Sequence, residues 1–89
     1  MLHLLAFPAD RQDLLTLLLQ CLGEHDEVVL IDEGLQWLSN SQALGQLADS
    51  GARLHALGPA SQEDCITRID YPKLIAISDR HPASSSWYP

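Results

Sequence analysis

The side chains of this sequence that could do chemistry are an adjacent pair of carboxylates, two thiols and four imidazoles. Asp32 and Glu33 stand directly before Gly34 and could bind a cation or act as an acid and base pair. Adjacent residues at a strand end point in different directions, however, and no third ligand stands at a suitable spacing. A solvated strand end is the simpler reading of Asp32 and Glu33, and Gly34 fits a tight turn better than a phosphate loop. His3, His25, His55 and His81 form no HxH or HxxxH pattern, so no metal site follows from them. His3 and His55 fall in strands, where a half-buried, hydrogen-bonded imidazole is expected. Cys21 lies near the carboxyl end of a helix, where the helix dipole disfavours a thiolate, and packing is its expected role. Cys65 sits in a polar loop between Glu63, Asp64 and the fourth strand, and acidic neighbours also oppose its ionisation. Its loop position makes Cys65 the better weak candidate for a reactive thiol, with Cys21 second. No catalytic residue is assigned, and no cofactor is expected.

The element that must position any site is Glu27-Val28-Val29-Leu30-Ile31-Asp32-Glu33-Gly34. Its unbroken branched apolar run suits a central strand covered on both faces, as in a parallel sheet. In such sheets ligands bind just past the carboxyl ends of the strands, which is where Asp32 to Gly34 fall. Leu2 to Ala6 reads as the first strand. Asp10 serves as a helix cap with Asp13 in the first turn. Leu14, Leu15, Leu18, Leu19 and Leu22 make one apolar stripe, extended at its edges by Leu17 and Cys21, and Gly23 ends the helix. Leu35 to Leu38 forms a helical turn. Ser39-Asn40-Ser41 caps a second helix carrying Ala43, Leu44, Leu47 and Ala48, which stops at Ser50-Gly51. Arg53 to Leu57 is a third strand, residues 60 to 65 a loop, and Ile66 to Asp70 a fourth strand. Tyr71 to Arg80 is a last helix with Pro72 in its first turn. The tail from His81 is composed like a disordered end, yet Trp87 and Tyr88 should dock on this chain or on a neighbour.

The alternation of strands and helices predicts a single three-layer α/β/α domain over residues 1–89, with a small, mostly parallel sheet of four to five strands. A chain of 89 residues buries only about 60–65% of the surface that its unfolded form exposes. Hydrophobic residues make up 46% of it and aromatics 6%, so the small core must be aliphatic and led by leucine. Such a domain invites a partner surface. The formal net charge of −7 opposes direct binding to nucleic-acid backbones. Leu2 to Phe7 lacks a preceding basic segment and is cut by Pro8 and Asp10, so neither a signal peptide nor a membrane span fits. A cytoplasmic location is expected, and there Cys21 and Cys65 would stay reduced.

Asp70-Tyr71, nine residues, His81, four residues and Ser86-Trp87 together resemble the closing pattern of the DsrH/TusB family, the smallest subunits of bacterial sulfur-relay complexes. Met1-Leu2-His3 resembles the family's start. Asp26, Val28 to Ile31 and Glu33-Gly34-Leu35 resemble its second-strand segment, and Leu54-His55-Ala56-Leu57 its third strand. The chain departs from the pattern at His25, where glycine is usual, and at Glu33, where aspartate is. The segment between Leu57 and Ile69 is shorter and lacks the usual alanine-arginine-glycine.

The resemblance implies a DsrEFH-like fold and a place in a heterohexamer with TusC/DsrF-like and TusD/DsrE-like sister subunits. In that family persulfide sulfur is received on a cysteine of the larger sister and passed toward 2-thiouridine at the tRNA wobble position. Related complexes serve dissimilatory sulfur oxidation. The expected role here is a non-catalytic subunit, with no direct nucleic-acid contact, no membrane contact and a possible homo-oligomer in isolation. Three other readings stay open: a sulfur-carrying subunit using Cys65 or Cys21, a subunit of a dissimilatory sulfur-oxidation complex, and a small-molecule binding module at the crevice from Asp32 to Gly34.

Overall fold

The structure is a computed structural model, which describes residues 1–58 and 66–88. Its elements in chain order are β1 (Leu2–Leu5), α1 (Gln12–Cys21), β2 (Glu27–Leu30), a 3-10 segment (Asp32–Ser39), α2 (Ser41–Asp49), β3 (Arg53–Leu57), β4 (Thr67–Ile69), α3 (Tyr71–Asp79) and β5 (Ser84–Trp87). The five strands form one sheet in the order β4-β3-β2-β1-β5, and every pairing is parallel. The expected α/β/α architecture is therefore present, with β2 at its centre.

Strand alternation divides the apolar residues between two faces. Leu5, Val28, Leu30 and Ala56 pack with Leu15 and Leu18 of α1, Trp37 of the 3-10 segment, and Ala43 and Leu47 of α2. Leu2, Val29, Ile31 and Ile69 pack with Ile77 and Leu74 of α3. The first two helical connections thus lie on one face while the chain steps from β1 to β3. The third lies on the opposite face as the chain returns from β4 to β5 at the far edge, the pattern that a uniform crossover hand produces.

The tail differs most from expectation. Its serines look like solvated coil, but Ser84 to Trp87 pairs residue for residue with Leu2 to Leu5. Backbone hydrogen bonds from Leu2 N to Ala83 O (3.3 Å) and from Ala6 N to Trp87 O (3.0 Å) extend that ladder. A serine-rich segment with little apolar content of its own becomes a strand because β1 offers it an open row of donors and acceptors. Trp87 packs against the α1 and α2 side of the core, whereas Tyr88 is 58% exposed and does not dock within this chain.

Smaller corrections concern helix ends. Arg11 rather than Asp10 occupies the cap of α1, and no side chain caps it; Arg11 instead pairs with Asp13 at 3.2 Å. Gly23 does not close α1 in a left-handed turn, because Leu22 leaves the helix in an extended conformation. Leu17 is half exposed and Cys21 is exposed, so neither widens the buried stripe and Cys21 is not a packing residue. Asn40 does cap α2, accepting from Ala43 N at 3.1 Å. Asp70, expected to end the fourth strand, caps α3 by accepting from Lys73 N at 3.0 Å.

The turn after β2 carries a close approach. Asp32 adopts φ +50° and Gly34 N donates to Ile31 O at 2.8 Å, which swings the 3-10 segment back over β1. A Cβ on Gly34 would lie within 2.8 Å of the Leu5 carbonyl carbon, and nearer still to its oxygen. The left-handed residue of the turn is Asp32 rather than Gly34, and glycine is needed at 34 because backbone fills the space that a side chain would take. Trp37 is brought down by this path, donates from Nε1 to Phe7 O at 3.0 Å and meets the Phe7 ring edge to face at 5.9 Å. Gly34→Ala should destabilise the fold by about 3 kcal/mol, an overpacking cost against immobile backbone. Gly45→Ala in α2, where a Cβ meets nothing within 4 Å, should stabilise it by about 0.5–1 kcal/mol. Urea unfolding of the two variants checks both signs.

Candidate functional site

The main gathering of charged side chains lies at the end of the sheet opposite to the one where this fold class ordinarily binds ligands. Asp32 and Glu33, past the carboxyl end of β2, are both solvent-exposed and line neither of the two cavities that stand out among the described residues. One of those cavities, about 280 Å³ and largely apolar, sits at the carboxyl ends of β3 and β4 between Leu57, Gly58, Ile69 and Tyr71. The other, about 230 Å³, lies at the amino ends of the strands and is lined by Glu24, His25, Asp26, Glu27, Arg53, Arg80 and His81. Here the structure gathers charges that are distant in the sequence.

Glu27 opens β2 and is only 5% exposed. Strand alternation turns its side chain to the α3 face, beside its register partner Arg53. Arg80, at the carboxyl end of α3, donates from Nη2 to both Glu27 oxygens at 2.8 and 3.1 Å. His81 Nε2 reaches Oε2 at 2.6 Å, and His55 Nε2 reaches Oε1 at 3.3 Å. Burial opposes ionisation of Glu27. Hydrogen bonds from His81 and His55 and the charge of Arg80 outweigh it and hold the carboxyl below the usual carboxylate range. Among the described residues, His55 Nδ1 is buried with no hydrogen-bond partner. Glu27 Oε1 can only accept, so the His55 Nε2 that faces it carries a proton.

Asp26 points to the opposite face and builds a second network. It accepts from the Met1 amino group at 2.9 Å, from Gly23 N at 3.1 Å and from His3 Nε2 at 3.3 Å. His3 is 2% exposed, and its Nδ1 accepts from Trp87 Nε1 at 3.1 Å. The two rings lie 6.2 Å apart and tilted. Burial raises the Asp26 carboxyl, but the Met1 amino group, the Gly23 amide and His3 together lower it more, leaving it below its ordinary value.

His3 and His55 are thus buried and hydrogen-bonded as their strand positions implied, and His81, partly buried, is hydrogen-bonded to the same carboxylate as His55. The structure does not bring these histidines to Asp32, Glu33 or Cys21. Cys21 is an exposed thiol at the end of α1, and Cys65 lies outside the described residues. No group of three or more His, Cys, Asp or Glu side chains among the described residues is arranged to hold a metal ion. Every acceptor position of Glu27 faces a donor, so this carboxylate is suited to holding segments together rather than to taking up a proton. Sequence reasoning missed Glu27, whose one signal was a carboxylate opening an otherwise fully apolar strand. The sequence matches no protein-family model, and no curated protein matches it.

Both carboxylates are held below their unfolded values, so each contributes stability that is complete above the ordinary carboxylate range. That stability is lost as pH falls through the lower folded values, below about pH 4. Glu27→Gln should cost about 2 kcal/mol at neutral pH by leaving three donors without their anion. It should also flatten the acid limb of a thermal-melting profile taken against pH.

Proposed function

We propose that this chain is a non-catalytic, cytoplasmic subunit of a heterohexameric sulfur-relay complex of the DsrEFH/TusBCD kind, moving persulfide sulfur toward 2-thiouridine at the tRNA wobble position. One observation carries the reading. The residues on which the resemblance to the DsrH/TusB family rests, His3, Asp26, His55, His81 and Trp87, are members of the two networks at the amino edge of the sheet. In this chain they tie β5 and the end of α3 to β1, β2 and β3. A pattern with a structural duty of that kind suits a subunit whose contribution is its shape.

The thiols support the same reading. Persulfide transfer needs an accessible thiolate to attack the outer sulfur of a donor persulfide. Cys21 is accessible at the end of α1, but it stands apart from both polar networks. Tyr71 and Ile75 stand four residues apart on the outer side of α3 and are 67% and 61% exposed, apolar area of the sort a sister chain covers. No helix among the described residues is long and apolar enough to cross a membrane.

Co-expression with TusC/DsrF-like and TusD/DsrE-like chains from the same genome should give a complex of fixed stoichiometry containing this chain. Cys21→Ser and Cys65→Ser should leave the rate of sulfur transfer within about twofold of wild type, a change no larger than ordinary surface substitutions make. A persulfide adduct on this chain whose removal stops transfer would overturn the non-catalytic assignment. Recovery as a free monomer beside an intact sister complex would overturn the assembly itself.

A further inference from the structure

The Trp87–His3–Asp26 chain allows one assignment of protons. An indole N–H can only donate, so the 3.1 Å bond from Trp87 Nε1 requires a lone pair on His3 Nδ1. The His3 proton then resides on Nε2, which donates to Asp26 Oδ2 at 3.3 Å. The bond to Trp87 is available only while the ring is neutral. A second proton on His3 would set N–H against N–H at Nδ1 while leaving the bond to Asp26 intact, and charged.

The carboxyl-terminal strand has few other side-chain ties. Ser84 and Ser86 are exposed, and Ser85 is half-buried, its hydroxyl touching Met1 Sδ at 3.7 Å. At the other end of the segment, His81 is bound to Glu27 at 2.6 Å. Protonation of His81 adds charge to that bond and keeps it. The charged group facing His3 is Asp26, and through it the Met1 amino group. Its register neighbours Val28 on β2 and Ser85 on β5 are uncharged. Glu27, Arg53, His55, Arg80 and His81 belong to the opposite face. Proton uptake therefore acts in opposite senses at the two ends of the tail.

We infer that His3 is a proton-sensitive latch: its protonation releases Trp87 and opens β5 from the edge of β1, with the His81–Glu27 bond retained as the hinge. The change is local, because Trp87 lies only partly buried at the edge of the core that holds Trp37, whereas Trp37 is fully buried and held by its own bond to Phe7 O. The inference rests on hydrogen-bond geometry and stands apart from the sulfur-relay reading.

The test uses the full chain labelled with nitrogen-15, taken through the range in which imidazoles titrate, about pH 8 to 5. The two indole N–H signals are assigned by Trp87→Phe. Acidification should shift the Trp87 indole signal and speed exchange of the Ala6 amide, which donates to Trp87 O, while the Trp37 indole signal holds. The midpoint should coincide with that of the His3 ring observed directly in the same samples. His3→Gln keeps an acceptor and a donor in one uncharged group, so it should abolish the transition. In Trp87→Phe the His3 midpoint should move up, because a bond specific to the neutral ring is gone. A Trp87 response that persists in His3→Gln or tracks a different histidine, a joint response of both indoles, or an unmoved His3 midpoint in Trp87→Phe would each overturn the latch.

Discussion

A buried carboxylate at the amino edge of the sheet is the constraint on which the rest of the structure depends. Removing Glu27 from water carries a desolvation cost that only surrounding donors can offset. Those donors come from β3, from the end of α3 and from the link into β5, at sequence separations of 28, 53 and 54 residues. The anion therefore does more than add local stability. It specifies where α3 must end and from which point the chain turns down beside β1, which makes a serine-rich segment the fifth strand.

Asp26 repeats the device one residue earlier, and strand alternation sends it to the other face. The adjacent carboxylates thus grip the tail from both sides of the sheet, Glu27 through His81 and Asp26 through His3 and Trp87. The two grips differ in chemistry. The first is an ion-paired bond that a proton on the imidazole reinforces, and the second depends on a neutral imidazole accepting from an indole. Parallel sheets ordinarily place reactive groups past the carboxyl ends of their strands. Here the interlocked polar groups collect at the amino ends, where they serve assembly of the fold. The α3 layer carries two exposed apolar residues, Tyr71 and Ile75, on its outer side.

The layered α/β architecture and the central place of β2 were legible from apolar runs and their spacing, because burial on both faces of a parallel strand demands such runs wherever they occur. The Asn40 cap and the turn at Ser50-Gly51 were legible for a similar reason, being decided within four residues. The tail was not, since nothing in Ser84-Ser85-Ser86 favours a strand until an edge is offered. Cys21 was misplaced because a helical stripe wide enough to include it exceeded what the sheet could cover. His3 and His55 were recognised as buried and hydrogen-bonded, but their partners were invisible: a carboxylate and an imidazole many residues apart leave no periodic trace.

What the amino-acid sequence by itself determined is the set of local elements, their amphipathic faces and the small aliphatic core, all properties of neighbouring residues and of the solvent. What only the tertiary structure decided is the meeting of Glu27 with His55, Arg80 and His81, of Asp26 with His3, and of His3 with Trp87. Those pairings need the strand order, the register and the side of the sheet on which α3 returns. A buried charge selects its partners by position in space, and position in space exists only once the sheet has formed.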